Sequence, residues 1–394
     1  MSSGDLWIGT QGGGLNILGP DGSVQTYGGS RPDTGYPVTI WSIFKDSQAR
    51  VWLGTRENGL VQFGKETGPV RIFDSSPGRQ GPRVSDNIRV IEEDLGGNLW
   101  LGTDSEGLIR LHPDTGEIKV FREGSGPNTL SNDMIKSLYF SREDGVLWIG
   151  TYGGGLNALD TRQEKFYHYS TEDGLANNVI YAILPDAQNN LWLSSNRGIT
   201  RFSPGKSPGE KPTITNYTNY EGLATEFNTG AYHIDRRGNL YFGGLEGLYW
   251  FKPSEIQENT RLPKTAITGM QVANEPYPMA PDTRFRHFQN TLTFTFSSLQ
   301  YALPEKNQYQ YRLVNYDQEW IQAGNNNFAR YSFLPPGDYE FQVKSSNYDG
   351  VWNPKPARFA FSIAPPWYLT PLAKAIYLIC LLYTSPSPRD RQKS

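Results

Sequence analysis

From residue 5 to about residue 258 the chain alternates short apolar runs with polar turns, and one run keeps returning. DLWIGTQGGGLNIL, RVWLGTRENGLVQF, NLWLGTDSEGLIRL, VLWIGTYGGGLNAL, NLWLSSNRGITRF and NLYFGGLEGLYWF are six versions of one phrase. Their aromatic anchors are Trp7, Trp52, Trp100, Trp148, Trp192 and Tyr241, spaced 44 to 49 residues apart. Runs this short, rich in aromatic and β-branched residues and broken by Gly and Asp, predict strands. In the second repeat four such pieces follow one another: TIWSIFKD (strand A), RVWLGT (B), GLVQF (C) and VRIF (D). A repeat of this length made of four strands is the period of a β-propeller blade. Over residues 262–366 the pattern changes to period-two alternation, as in TLTFTF, YQYRL, DYEFQVK and RFAFSI. Leu292, Phe294 and Phe296 share one face there, and Tyr339, Phe341 and Val343 another, which predicts a small Ig-like sandwich. The expected fold class is all-β: a propeller of about six visible blade repeats, then an Ig-like sandwich and the start of a transmembrane helix.

The repeats also predict their own turns. Asp46, Asp94, Asp186 and Asp235 each stand six residues before an anchor, where a carboxylate bonds its own backbone and holds the A–B turn. Ser141 takes this place in the fourth repeat, with a turn one residue longer. The anchor ring is expected to pack between neighbouring blades, and the glycine after the GT pair to supply positive φ in the B–C turn. The first repeat begins at strand B, as expected of a fragment of a larger protein or of an open propeller.

Composition agrees and excludes several classes. The 394 residues include 42 Gly, 23 Tyr, 19 Phe and 10 Trp, which suits many turns joining aromatic strands. A formal charge of −3 without blocks of like charge gives no footing for nucleic acid. The single Cys380 excludes an internal disulfide and a cysteine-based zinc site. MSSGDLW has neither the basic nor the apolar region of a signal peptide. LAKAIYLICLLY, residues 372–383, is about half as long as the ~20 apolar residues a spanning helix needs. The polar segment that follows reads as a junction to unrelated sequence.

Both halves resemble known modules. The LW(I/L)GT…GL phrase looks like the two-component regulator propeller repeat. YQYRLVNYDQEW (309–320), ARYSFLPPGDYEFQVKSSNYDGVWN (329–353) and FSIAPPWYLTP (361–371) look like the Y_Y_Y domain. The order resembles the periplasmic sensor region of hybrid two-component systems. It implies propeller blades over 1–258, a Y_Y_Y sandwich over 262–366, the start of a truncated membrane helix over 367–383 and a non-native tail over 384–394. It also implies an oligosaccharide ligand, a periplasmic location anchored to the inner membrane, a homodimer, and a histidine kinase outside this chain.

Positions that vary against a repeated scaffold are candidates for ligand contact. Directly after GT stand Gln11, Arg56, Asp104, Tyr152, Asn196 and Leu245. Five residues before the A–B turn position stand Trp41, Arg89, Lys136, Tyr181 and Gly230, each followed by a small or β-branched residue that a crowded centre would require. Aromatic planes stack on sugar rings, and Arg, Lys, Asp and Asn satisfy hydroxyls or acidic substituents. The candidate ligand set is therefore Gln11, Trp41, Arg56, Arg89, Asp104, Lys136, Tyr152, Tyr181 and Asn196, on the face where D–A and B–C connections open. GGGLN has no helix after it and recurs as a turn, so it is not a phosphate cradle. The four histidines lack metal-ligand spacing, and Glu92 and Glu93 point to opposite strand faces. No catalytic residue, metal or cofactor is expected. The leading reading is a non-enzymatic sensor of oligosaccharide; a carbohydrate-active lyase or glycosidase and a protein-interaction propeller remain alternatives.

Overall fold

The recurring phrase forms a B–C hairpin in six successive antiparallel sheets. The structure, a computed structural model, describes residues 4–28, 36–77, 82–219, 222–223, 226–257, 259–300 and 303–384. Contacts divide it into two units, Met1–Ile256 and Gln257–Ser394. In the first unit, blade 1 has strands Leu6–Gly9, Leu15–Leu18 and Val24–Tyr27, and blade 6 has Phe227–Ile234, Leu240–Gly244 and Gly247–Phe251. Blades 2 to 5 each carry four strands. Their A strands are Ile40–Lys45, Ile88–Glu93, Ile135–Ser141 and Ala182–Pro185, and neighbouring A strands touch along the axis.

Blades cohere because the anchor rings of blades 2 to 5 are buried against the next sheet. Trp52 packs with Ile88, Ile91 and Leu101 of blade 3. Trp100 packs with Leu138, Leu147 and Ile149 of blade 4, and Trp192 with Phe227, Leu240 and Phe242 of blade 6. Large rings removed from water contribute roughly 2–3 kcal/mol each, so these wedges are a main source of blade cohesion.

The turn aspartates do more than the sequence indicates. Asp94 Oδ1 accepts the Gly96 and Asn98 N–H groups at 2.8 and 3.0 Å, while Oδ2 accepts the Trp100 indole Nε1–H at 2.9 Å. Asp46 and Asp186 receive Trp52 and Trp192 in the same way, at 2.8 and 2.9 Å, and Asp235 receives the Tyr241 hydroxyl at 3.2 Å. One carboxylate thus shapes the turn and satisfies the indole donor that burial would otherwise orphan. The predicted glycine turns are also present. Gly155 has φ +77°, and a Cβ there would lie 2.2 Å from the Tyr169 carbonyl oxygen of strand D.

In the second unit two sheets face each other. One holds Thr265–Val272, Glu275–Tyr277, Leu292–Ser298 and Phe328–Tyr331; the other holds Thr283–Phe285, Tyr309–Val314, Ile321–Gly324, Gly337–Ser345 and Ala357–Ile363. The alternating residues meet as the pattern requires: Phe294 and Phe341 stack at 4.2 Å with 8° between planes. Thr283–Phe285 pairs in parallel with Ala357–Ile363, so this sheet is mixed rather than wholly antiparallel. A helix follows over Pro371–Thr384, with Leu372, Ile376, Leu378, Ile379 and Leu381 exposed and Ala373 buried. Among the described residues no helix is long and apolar enough to cross a membrane. Residues 385–394, and the expectation about the tail, lie outside the described residues.

Candidate ligand-binding face

The second set of variable residues owes its orientation to a repeated irregularity. The A–B register shifts between Ile40 and Ser42, between Ile88 and Val90, and between Ile135 and Ser137. Trp41, Arg89 and Lys136 are the extra residues at these bulges, and a bulge re-aims the side chain it carries. The small residue after each bulge answers to local crowding. A Cβ on Gly54 would meet Ser42 Oγ at 2.3 Å, and one on Gly150 would meet Ser137 Oγ at 2.3 Å. The next blade adds to this crowding: the same Cβ atoms would meet the Ile88 carbonyl oxygen at 2.8 Å and the Ile180 carbonyl oxygen at 2.9 Å.

The D–A and B–C connections do open on one face. The turn glycines Gly59, Gly107 and Gly155 donate their N–H groups to Asp86, Asp133 and Asn178 in the following D–A connections, at 2.8 to 3.1 Å. On this face the two sets interleave into one network. Arg89 lies over the Trp41 ring with its guanidinium carbon 3.9 Å from the centroid. Arg89 Nε donates to Asp104 Oδ1 at 3.0 Å, and Lys136 Nζ donates to the same oxygen at 2.9 Å. Lys136 Nζ also stands 5.3 Å from the Tyr152 ring centroid. Five of the nine candidates are thereby drawn into contacts spanning blades 2 to 4, and Tyr181 and Asn196 interact electrostatically in blade 5.

The electrostatics follow from two cations sharing one anion. Burial works to raise the Asp104 carboxyl, but the hydrogen bonds and charges of Lys136 and Arg89 outweigh it and hold the group below the usual carboxylate range. Lys136 is 9% exposed and Arg89 19%, so both are shielded from water and strengthened by low dielectric. Tyr152 remains 46% exposed, presenting an aromatic face to solvent beside this charged row. The buried Trp41 Nε1–H has no hydrogen-bond partner among the described residues. The arrangement brings flat aromatic surface and two cations together.

Gln11 and Arg56 do not join. Gln11 is exposed and Arg56 leans on its neighbour Glu57 at 3.8 Å. In blade 6 the corresponding positions are the exposed Leu245 and Gly230, which extend no polar side chain onto the face. Glu92 and Glu93 do point apart. Glu93 is buried and accepts the Ser47 N–H and hydroxyl, both at 2.8 Å, whereas Glu92 faces an axial cavity of about 510 Å³. Sequence reasoning missed that cavity. Its signal lay two residues before the A–B turn, where the repeats read Phe44, Glu92, Tyr139, Leu184 and His233 and only one is a carboxylate.

Comparison with known proteins agrees with this two-part organisation. Residues 300–364 match the Y_Y_Y domain model and residues 174–197 the two component regulator propeller model. The chain therefore carries a regulator propeller match followed by a Y_Y_Y domain match, and in that order it resembles the sensor region of a hybrid two-component system. It is 24% identical over 375 residues to Histidine kinase P4 of Formosa agariphila, covering 87% of this chain and 26% of the relative. The chain thus spans about a quarter of the length of that curated relative. The extracellular domain assigned to the hybrid two component system BT3049 of B. thetaiotaomicron is 21% identical, with a TM-score of 0.46, covering 92% of this chain and 54% of that one. A gluconolactonase, XC5397 of Xanthomonas campestris, is 16% identical with a TM-score of 0.43, covering 63% and 82%.

Proposed function

We propose that this chain is the extracytoplasmic ligand-sensing region of a hybrid two-component sensor histidine kinase, and that it binds an oligosaccharide on the D–A/B–C face of blades 2 to 5. The observation that carries the reading is the row Trp41–Arg89–Asp104–Lys136–Tyr152, in which two aromatic planes flank three charges. Pyranose rings stack on aromatic faces while their hydroxyls and acidic substituents need fixed donors, and this row supplies both. The Y_Y_Y domain then transmits ligand occupancy toward the membrane. Its last strand, Ala357–Ile363, is joined to the exposed apolar helix Pro371–Thr384 by a short connection containing Pro365 and Pro366. A short, proline-stiffened connection passes on displacement better than a flexible one. A helix whose exposed surface is apolar apart from Lys374 near its start belongs in lipid or in a protein core, which supports anchoring to the inner membrane from the periplasmic side. The sensor acts as a homodimer.

One observation favours a second reading, a carbohydrate-active enzyme: Asp104, Arg89 and Lys136 form an acid–base–arginine cluster on one face. Against it, Asp104 is held ionised by both cations and is not poised to give a proton near neutral pH. Thermal shift against a panel of defined oligosaccharides, with product analysis of the same mixtures, separates the readings. Stabilisation without cleavage supports a sensor; cleavage supports an enzyme; no response to any glycan refutes oligosaccharide binding.

A further inference from the structure

The cavity at the other end of the axis is built from four blades. Glu92 comes from strand A of blade 3, Tyr139 from blade 4, Ile183 and Leu184 from blade 5, and Tyr232 from blade 6. Its volume of about 510 Å³ is several times that of a water molecule. The walls are largely apolar, and the polar ends that reach it are under-used. Glu92 Oε1 accepts one long hydrogen bond, 3.4 Å, from the Glu93 N–H. Neither the Tyr139 nor the Tyr232 hydroxyl makes a hydrogen bond among the described residues, and both rings feel the Glu92 charge. Burial and that charge push Tyr232 up to about 12, so it stays a neutral phenol.

We infer that this cavity binds a small primary amine, whose ammonium group pairs with the Glu92 carboxylate and whose body packs between Tyr139 and Tyr232. Among the described residues no cation forms an ion pair with this carboxylate, and Arg142 acts on it only through its charge from the mouth. A protonated amine would supply the missing charge and donors, and the two rings add cation–π attraction. Arg142 and Glu143 stand exposed at the mouth, and Glu143 is occupied by the Asn189 side-chain amide at 2.9 Å. Glu93, the remaining carboxylate near Glu92, is engaged by Ser47. Among the described residues lining the cavity, Arg142 is therefore the one cation that opposes entry of an amine, and burial pushes the Glu92 carboxyl up to about 7 while the Arg142 charge draws it down. The amine site is separate from the oligosaccharide face, so either can fail without the other.

Calorimetric titration of the whole chain, in buffers free of amines, tests this with ethanolamine and glucosamine as cations and N-acetylglucosamine as the neutral counterpart. The amines should bind and the acetylated sugar should not. Glu92→Gln should lower amine affinity at least tenfold, and Tyr232→Phe, which removes only a hydroxyl, severalfold. For ethanolamine, affinity should rise up to about tenfold from pH 5.5 to 6.5 and level off near pH 8, because binding requires the ionised carboxylate, and it should fall again once the amine itself deprotonates; for glucosamine, a weaker base, that fall should come at lower pH. Arg142→Ala should tighten binding. A melting scan of each variant establishes that it is folded. Absence of amine binding to the folded wild type, binding unchanged in Glu92→Gln, or equal binding of N-acetylglucosamine would overturn the proposal.

Discussion

Replacing Asp94 with alanine tests the physical basis of the repeat. Trp100 is 1% exposed, and its indole donor has Asp94 Oδ2 as acceptor at 2.9 Å. Removing that acceptor leaves a buried N–H unsatisfied, at a cost of about 1–3 kcal/mol. The Gly96 and Asn98 N–H groups lose Oδ1 as well, but the turn is partly open to water, so about 1 kcal/mol more is expected. Asp94→Ala should therefore destabilise the protein by about 2–4 kcal/mol. In a Trp100→Phe background the indole donor is already gone, and the same substitution should cost only about 1 kcal/mol, a coupling of about 1–3 kcal/mol. Urea denaturation of the wild type, the two single variants and the double variant measures this cycle directly. An equal cost of Asp94→Ala in both backgrounds would refute the indole clamp and leave the aspartate a turn former alone.

Gly155→Ala combines a positive φ with a contact 2.2 Å from the Tyr169 carbonyl oxygen, so it should lower stability by at least about 1–3 kcal/mol; an unchanged urea midpoint would contradict the turn geometry. Glu92 is raised from 4.5 to about 7 by burial, so the native state binds more protons than the unfolded chain between those values and stability falls as pH rises through that window. Screened by cavity water, the penalty at pH 8 is about 1–2 kcal/mol; Glu92→Gln should remove it, and should match the wild type below pH 4.5. For Asp104 the sign reverses. Its lowered carboxyl stabilises the fold above its unfolded value and loses that contribution only as pH falls through the depressed folded value, so the Arg89–Asp104–Lys136 row should survive unchanged from pH 8 to 5 by NMR titration. Asp104→Asn leaves both cations without their anion and should shift binding preference from neutral toward acidic oligosaccharides, measured as a ratio of affinities.

Much of the architecture was legible because repeats supply their own controls. The anchor spacing located the blades, the Asp six residues before each anchor located the turns, and alternation at Phe294 and Phe341 located the sandwich core. The indole clamp was not legible, because a turn former and a ring acceptor look identical in sequence. The site was readable as a list of variable positions but not as a grouping. Asp104 reaches both Arg89 and Lys136 because the residue after GT lies between two successive A-strand bulges, and a bulge leaves no mark that alternation detects. Gln11 and Arg56 occupy the same repeat position as Asp104, but neither is an anion that two cations could share. Glu92 reads in sequence as half of an acidic pair; its partners Tyr139 and Tyr232 come from other blades, at positions that only the curvature of the blade array brings together.

The most direct test of the central claim is calorimetric titration of the stabilising oligosaccharide into the wild type and into Trp41→Ala, Arg89→Ala and Tyr181→Ala. Loss of the stacking plane or the guanidinium should weaken binding about tenfold or more while the melting transition stays cooperative. Affinity unchanged in all three variants would contradict the account and move the ligand off this face.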